Sequence, residues 1–419
     1  MNSKDLKRGQ LMYLFEAALE HLVSILVASS FLATLTKELG FSDSLTGILS
    51  SVISLGCLFQ MLSVFLRRKQ VKSFVIIMSV VNQLLFMLLY VIPIFPVTGK
   101  CKTVLFVASI FSAYLIYYFA HPKKINWLMS LVDDHHRGRF TANKEILSLI
   151  AGMSFSYGMG ALVDYFSEKG EVRTAFVLSA VVIFVLMLLH TLTMVLTPEP
   201  EIPEAPKKDI LHSIGDVVGN KDVIHVTVLF VLYYISTYVA TPFYGTYEIH
   251  ELGFSLKFVS ILSIIRSTVR ILFSRFWGTY ADKTSFTNMI QKCLMILGLG
   301  YLFIAFTVPS NGALMYILYS IFHGAALGGI NSALINLVFD YVPFEKRADS
   351  LAVCQAASGL CGFLATLAFS PLVSYIQSNG NRFLGLNVYA QQVVSAVAFI
   401  IVMIALLYVR LAFVRKKTQ

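Results

Sequence analysis

Charged side chains are scarce in this chain. Only 13% of its 419 residues are Asp, Glu, Lys or Arg, whereas 57% are hydrophobic. That balance excludes an ordinary soluble domain and indicates a polytopic membrane protein. The five cysteines include no CxxC pair, so we expect neither a disulfide nor a metal site. The net charge of +10 requires no nucleic-acid partner, because Lys and Arg accumulate in the inner loops of membrane proteins.

Sequence motifs of the common enzyme classes are missing as well. No GxxxxGK(S/T) phosphate loop occurs, so ATP hydrolysis is not the expected energy source. No HExxH motif, His/Cys cluster or nucleophile elbow occurs either. We therefore expect no enzymatic activity and no cofactor.

Long apolar runs fill the chain instead. Each is long enough to cross ~30 Å of hydrocarbon as a helix. They predict an all-α polytopic membrane protein with twelve transmembrane helices. The first run is too long for a signal-peptide core and is expected to remain as the first span. The predicted spans are 11–36, 43–66, 73–95, 103–132, 140–165, 173–197, 223–247, 255–277, 286–308, 312–340, 350–376 and 388–413.

Basic residues are distributed unevenly between the two sides of these spans. With the N-terminus inside, 21 of the 33 Lys and Arg residues fall in inner segments and 7 in outer segments. An excess of this kind marks the cytoplasmic side. We expect a multi-pass protein of the cell membrane with both termini in the cytoplasm.

A proline-rich stretch near the middle divides the spans into two sets of six. Residues 198–222 predict a stiff cytoplasmic linker between an N-terminal six-helix bundle, 1–197, and a C-terminal one, 223–419. The halves also share a loop pattern, because Val-x4-Arg followed by a small residue occurs at 132–138 and again at 342–348. Similar loops at the same place in two halves indicate an internal duplication.

Two loop motifs carry a family resemblance. The first motif, Gly278-Thr-Tyr-Ala-Asp-Lys283, resembles the Gly-x-x-x-Asp-Arg/Lys signature of the major facilitator superfamily. The second loop signature of that superfamily is similar to Arg137-Gly-Arg139 and to Lys346-Arg-Ala348. The resemblance covers essentially the whole chain. It implies a secondary transporter with two pseudo-symmetric halves, alternating access, and a cavity lined by spans 1, 4, 7 and 10. Residues implied in gating are Gly278, Asp282, Lys283, Arg137, Arg139 and Arg347.

The corresponding loop of the first half departs from the signature. Residues 63–69 read Ser-Val-Phe-Leu-Arg-Arg-Lys and lack both the glycine and the aspartate. In the superfamily that acidic residue helps to hold the cytoplasmic gate closed. Here either Asp282 does so alone or another pair takes part.

Ionisable residues inside the first and fourth spans predict a coupling site. A lysine at the centre of a membrane helix costs roughly 2.5–3.5 kcal/mol, so Lys124 should face protein, water or a ligand. Glu16 lies at a similar depth, and we predict a Glu–Lys pair across the two spans. Two interpretations remain open: a static pair that fixes helix packing, or a titratable network that couples protons to transport. The proton-coupling candidates are Glu16, Glu20, Lys124 and His121.

Span 8 carries two arginines one turn apart, Arg266 and Arg270, near the midplane. In one interpretation Arg270 snorkels inward, or pairs with a carbonyl group or with Asp340. In the other, Arg266 binds an anionic group of the substrate.

Tyrosines recur on spans 4 and 7. Rings with hydroxyl groups suit the faces and edges of a sugar or another polar ring. The predicted substrate contacts are Tyr117, Tyr118, His121, Lys123, Arg266, Arg270, Tyr234, Tyr238, His323 and Asn331.

The sequence favours a monomeric transporter in the lipid bilayer that takes up a small polar organic solute, neutral or anionic, together with protons. Sugars, glycosides and sugar acids are the expected solute classes. One alternative is a proton-driven exporter of drugs or other amphipathic compounds. Another is a membrane sensor or lipid-handling protein that transports nothing.

Overall fold

The computed structural model describes residues 3–62, 71–132, 137–199, 221–342 and 347–414. Nearly all of the described chain is helical. The helices before the predicted linker are α1 (Ser3–Leu26), α2 (Ser29–Glu38), α3 (Asp43–Ser51), α4 (Gly56–Leu62), α5 (Val71–Val91), α6 (Gly99–Met129), α7 (Arg137–Glu168) and α8 (Val172–Leu196).

The described chain after the linker is built in the same way. Its helices are α9 (Lys221–Ala240), α10 (Tyr244–Thr246), α11 (Leu256–Lys283), α12 (Phe286–Ala305), α13 (Gly312–Tyr341), α14 (Arg347–Ser378) and α15 (Ala390–Val409). Short 3-10 turns cover Val52–Leu55, Ile92–Ile94 and Thr241–Phe243, and π turns cover Tyr247–Glu251 and Arg410–Val414. A two-residue strand, β1 (Arg382–Phe383), pairs antiparallel with β2 (Leu386–Asn387).

Nine helices within the described residues are long and apolar enough to cross a membrane, and a tenth is added if α1 and α2, bent by 42°, form one span. Large apolar side chains on these helices face outward, as lipid contact requires; Val104 and Leu188 are more than half exposed. The prediction of an all-α polytopic membrane protein is confirmed. The count of twelve is consistent with these helices and stays a prediction.

Two of the twelve predicted spans, the second and the eighth, are not among these membrane-span candidates, each for a local reason. α11 carries Arg266 and Arg270, which lower its mean hydropathy. The second span begins as α3, passes through a 3-10 turn and continues as α4 to Leu62, beyond which residues 63–70 lie outside the described part. The first span is also not one helix. It breaks between α1 and α2, where Ser29 has a φ of +48°.

The chain forms two compact units. The first comprises Met1–Phe41, Leu58–Ala205 and Phe254–Ser260, and the second comprises Ser42–Cys57, Pro206–Gly253 and Ile261–Gln419. Residues 200–220 of the predicted linker lie outside the described residues. The division into bundles 1–197 and 223–419 remains a prediction.

Packing in the first unit directs polar side chains of four helices inward. α1 packs against α7 and α8, and α5 packs against α6 and α8. Trp127 of α6 is fully buried, and its Nε1 donates a hydrogen bond to the carbonyl oxygen of Pro198 at 2.9 Å. This arrangement brings Glu16 of α1 close to Lys124 of α6 and to His190 of α8.

Close helix contacts in the second unit depend on glycine. α3 packs on α14, and a Cβ added at Gly359 would lie 2.2 Å from the carbonyl oxygen of Ser54. Only glycine allows that approach. The seventh span is interrupted at Thr241–Phe243, because Pro242 cannot continue the helical hydrogen-bond pattern.

Candidate functional site

An ionic cluster lies buried in the first unit. Lys124 Nζ is 2.9 Å from Glu16 Oε1 and also bonds Glu20 Oε1. Glu16 is 1% exposed, whereas the Glu20 side chain is 22% exposed. The structure thus brings together three of the four predicted coupling residues. An ion pair removed from water in this way is stable only if its charges stay paired.

His190 is a fourth member of the cluster that the sequence analysis missed. Its Nε2 lies 3.1 Å from Glu16 Oε1, and its Nδ1 lies 3.0 Å from Nε2 of Gln83. Since the Gln83 amide donates to Nδ1, the network assigns the proton to Nε2, which donates to Glu16. The available signal was a single histidine inside the apolar run of α8.

The formal charges of this cluster do not cancel. Two carboxylates, Glu16 and Glu20, surround one ammonium group, Lys124. These three side chains therefore carry one excess negative charge in their ionised forms, which one proton would neutralise. Glu20 is the more exposed carboxylate, so it is the more accessible to a proton arriving through water.

A cavity of about 300 Å³ opens beside the cluster. Tyr117 and His121, both predicted substrate contacts, lie in its wall together with Glu20 and Lys124. Lys124 Nζ stands 5.6 Å from the centre of the Tyr117 ring, which lies 5.4 Å from the His121 ring. His121 also borders a second cavity of about 590 Å³, lined further by Gln60 and Asn126. A hydroxylated ring could stack and hydrogen-bond in such surroundings.

Side chains of α7 complete the wall of the smaller cavity. Lys144 donates from Nζ to the Tyr13 hydroxyl group at 3.3 Å, and Glu145 follows it along the helix. Lys144 is one of the 21 Lys and Arg residues that the sequence places in inner segments. Because Lys144 and Glu145 carry opposite charges, they leave the excess negative charge of the cluster unchanged.

The other predicted residues of α6 lie outside the ionic cluster. Tyr118 packs edge-on against Tyr117, with ring centres 4.9 Å apart. Lys123 is half-buried, and it is not among the bonded partners of Glu16 or Glu20. α6 continues as a helix through Pro122.

Glu16, Glu20 and His190 could in principle ligate a metal, since their donor atoms lie within 4.8 Å of one another in the part of the chain that the structure describes. The ammonium group of Lys124 bonds both carboxylates. It supplies the positive charge that a metal would bring, so this donor set favours a lysine-centred cluster.

The predicted substrate contacts of the second unit fall into two groups. Tyr234 and Tyr238 stack in α9, with ring centres 5.8 Å apart. Arg266 lies on α11 where the backbone comes closest to Gly324 of α13, the residue that follows His323. One turn further along, the carbonyl oxygen of Arg270 would lie 3.0 Å from a Cβ added at Gly328 of α13. Asn331, two turns beyond His323, is exposed.

The predicted gating residues are partly described. Gly278, Asp282 and Lys283 are exposed towards the C-terminal end of α11. Arg347 donates to the carbonyl oxygens of Val342 at 3.1 Å and Phe339 at 2.7 Å, so it caps the end of α13. The side chains of Arg137 and Arg139 lie outside the described part of the structure. Gating by these residues remains a prediction.

A polar cluster in the second unit was also missed. Asp43, at the start of α3, accepts hydrogen bonds from His250 Nδ1 and Gln377 Nε2, both at 2.6 Å. Asp43 is buried. Since its partners are more than 200 positions away in the chain, no local sequence pattern indicated the contact.

Comparison with known proteins identifies a family and a fold. The family model described as "Major Facilitator Superfamily" matches residues 15–366 and 226–418. No curated protein matches the sequence.

Solved structures resemble this chain over nearly its whole length. A mutant of the nucleoside transporter NupG is 14% identical with a TM-score of 0.73, covering 96% of this chain and 99% of its own. A bacterial homolog of the human lysosomal transporter Spinster is 13% identical with a TM-score of 0.68, covering 98% and 96%. A D-xylose-proton symporter is 13% identical with a TM-score of 0.64, covering 94% and 96%.

Proposed function

Because the chain belongs to the major facilitator superfamily and is therefore a multi-pass membrane transporter rather than an enzyme, we propose that it takes up a small polar organic solute in symport with protons. The solute is a sugar, a glycoside or a sugar acid. Transport proceeds by alternating access in the cell membrane, with both termini in the cytoplasm, and the transporter works as a monomer.

The observation that carries this proposal is Lys124 held between Glu16 and Glu20 beside a cavity. A static ion pair with Lys124 needs only one carboxylate, whereas two carboxylates leave an excess negative charge. A proton that binds Glu20 removes that excess and weakens the hold of Glu20 on Lys124. The freed ammonium group can then turn towards a solute in the cavity, which links proton binding to solute binding.

The lining of the cavity supports a polar ring as the solute. Tyr117 and His121 offer ring faces and polar edges next to the charges. Two of the similar structures are a nucleoside transporter and a D-xylose-proton symporter, and both solutes contain a hydroxylated ring. A cavity of about 300 Å³ is within the size range of small-molecule sites.

Uptake into proteoliposomes tests the proposal. The purified protein is reconstituted, an acidic-outside pH gradient is imposed, and the accumulation of D-xylose, D-glucose, methyl β-D-glucoside, D-glucuronate and uridine is measured. The proposal predicts accumulation of at least one of them above equilibrium, abolished by a protonophore. Failure to accumulate any of them would contradict it. Gradient-driven expulsion of a cationic dye alone would favour the exporter.

A further inference from the structure

The larger of the two cavities in the first unit has no part in the proposed proton coupling. Its volume is about 590 Å³, against about 300 Å³ for the cavity beside Lys124. Its lining residues lie in α4, in α6 or directly after α6, all within the first unit. Because small-molecule sites have volumes in this range, the larger cavity can hold part of a solute.

The two cavities meet along one turn of α6. His121 and Ile125, four residues apart on that helix, line both of them. Tyr117 belongs to the wall of the smaller cavity and Asn126 to the wall of the larger one. Asn126 follows Tyr117 by nine positions, which corresponds to about 14 Å along a helix. That length exceeds one sugar ring and suits two linked rings.

The linings of the two cavities differ in charge. The wall of the smaller cavity includes Glu16, Glu20, Lys124 and Lys144. The described lining of the larger cavity contains no Asp, Glu, Lys or Arg. A charged group there would lose hydration without gaining an ionic partner from this lining. The larger cavity therefore favours an uncharged part of a solute.

Two amide side chains in the larger cavity are available to a ligand. Gln60 and Asn126 make no side-chain hydrogen bond to another residue in the described part of the chain. Each amide offers two N–H donors and one carbonyl acceptor, which match the hydroxyl groups of a sugar. Ser130 donates its hydroxyl proton to the carbonyl oxygen of Trp127 at 2.6 Å, so its own oxygen is left as an acceptor.

Apolar side chains complete the lining of the larger cavity. Pro122, Ile125 and Met129 follow one another at spacings of three and four residues, so they lie on one face of α6. A pyranose ring has apolar C–H faces and hydroxyl groups along its edge, and this lining offers a match for both. An alkyl or phenyl group would leave the two amides without partners, which is unfavourable.

We propose that the larger cavity binds the second sugar ring of a glycoside whose first ring occupies the smaller cavity. This inference rests on the proposed function and narrows its solute classes to glycosides with two linked, uncharged sugar rings. Gln60 and Asn126 recognise the second ring through hydrogen bonds. His121, at the junction of the cavities, contacts both rings.

Binding to the purified full-length protein in lipid nanodiscs tests the site. Lactose, cellobiose, maltose and melibiose are titrated alongside D-glucose, D-galactose and phenyl β-D-glucoside. We expect at least one disaccharide to bind at least about tenfold more tightly than either monosaccharide, because the second ring adds hydrogen bonds to the amides. Equal binding of disaccharides and monosaccharides, no binding of any disaccharide, or binding of phenyl β-D-glucoside as tight as that of the best disaccharide would each overturn the assignment.

Variants locate the effect. Asn126→Leu and Gln60→Leu should each reduce the preference for the disaccharide about threefold or more, and the double variant should abolish it. The control is Asn288→Leu, because Asn288 is an exposed amide of α12 and should leave the preference unchanged. A folded single or double variant that keeps the full preference would overturn the proposal. Circular dichroism and the elution volume on size exclusion show whether each variant is folded.

Uptake measurements separate this inference from the proposed function. If the wild-type protein accumulates a monosaccharide under a pH gradient but binds no disaccharide more tightly, the site for the second ring is wrong and proton symport stands. If the wild-type protein prefers a disaccharide through Gln60 and Asn126 but no pH gradient drives its uptake, the site stands and symport is wrong.

Discussion

His190 Nε2 lies 3.1 Å from Glu16 Oε1, so the carboxylate that holds Lys124 is itself held by a buried imidazole. We predict that His190→Leu destabilises the protein by about 1–3 kcal/mol, because it removes a donor to Glu16 and the acceptor for the Gln83 amide. Unfolding of the protein in detergent measures the change. In the Glu16→Gln background the same substitution should cost less, and an equal cost in both backgrounds would show that the two residues are not coupled.

Lys124 is bonded to two carboxylates, so its removal should be more damaging than removal of either one. Lys124→Met leaves Glu16 buried without its cation, which we expect to cost about 3–5 kcal/mol. Adding Glu16→Gln should recover part of that loss, since it removes the uncompensated charge. The measurement is the melting temperature of the single and double variants. A double variant less stable than Lys124→Met would be inconsistent with this charge balance.

Ser156 of α7 donates to Ser260 of α11 across 3.0 Å. The two residues belong to different predicted halves, although both lie in the first unit. If the halves move apart during transport, this contact must break. We therefore predict that a disulfide formed in Ser156→Cys/Ser260→Cys, in a Cys101→Ser background, lowers uptake at least about tenfold, and that a reductant restores it.

A disulfide within one half provides the control. Thr227 Oγ1 lies 3.2 Å from Cys354 Sγ, and both residues belong to the predicted second half. Oxidised Thr227→Cys, which pairs with the native Cys354, should retain uptake. Undiminished uptake in the oxidised Ser156/Ser260 pair would exclude movement between these two helices.

Gly324 allows α13 to approach α11 at Arg266. Gly324→Ala should destabilise the protein, because its Cβ would lie 2.4 Å from a backbone oxygen. Gly158→Ala is the matched control. A Cβ there has no neighbour within 4 Å, so alanine should stabilise α7 by about 0.5–1 kcal/mol. Thermal unfolding of the two variants should thus give shifts of opposite sign, and a stabilising Gly324→Ala would contradict the close approach.

Sequence patterns predicted the features that depend on composition and on helical spacing. The apolar runs predicted the membrane-spanning helices. The pairing of Glu16 with Lys124 followed from their depth, once the family resemblance implied that spans 1 and 4 share a cavity.

Contacts made by isolated residues far apart in the chain were not predictable in this way. His190 is the one histidine of α8, and only the packing of α8 on α1 shows that it faces Glu16. Asp43 and His250 are likewise joined by tertiary packing alone. The break at Ser29 depends on a positive φ in a non-glycine residue, which propensity does not indicate.

Glu20 is the proposed carrier of the coupling proton, and the variant Glu20→Gln separates proton coupling from solute transport. Two rates are compared in proteoliposomes for the solute that the wild type accumulates: exchange without a gradient, and accumulation driven by a pH gradient. We predict that Glu20→Gln retains exchange and loses gradient-driven accumulation, because glutamine mimics the protonated carboxyl group. Glu38→Gln, a change at an exposed carboxylate of α2, should leave both rates unchanged. Accumulation by Glu20→Gln at the wild-type level would contradict the claim.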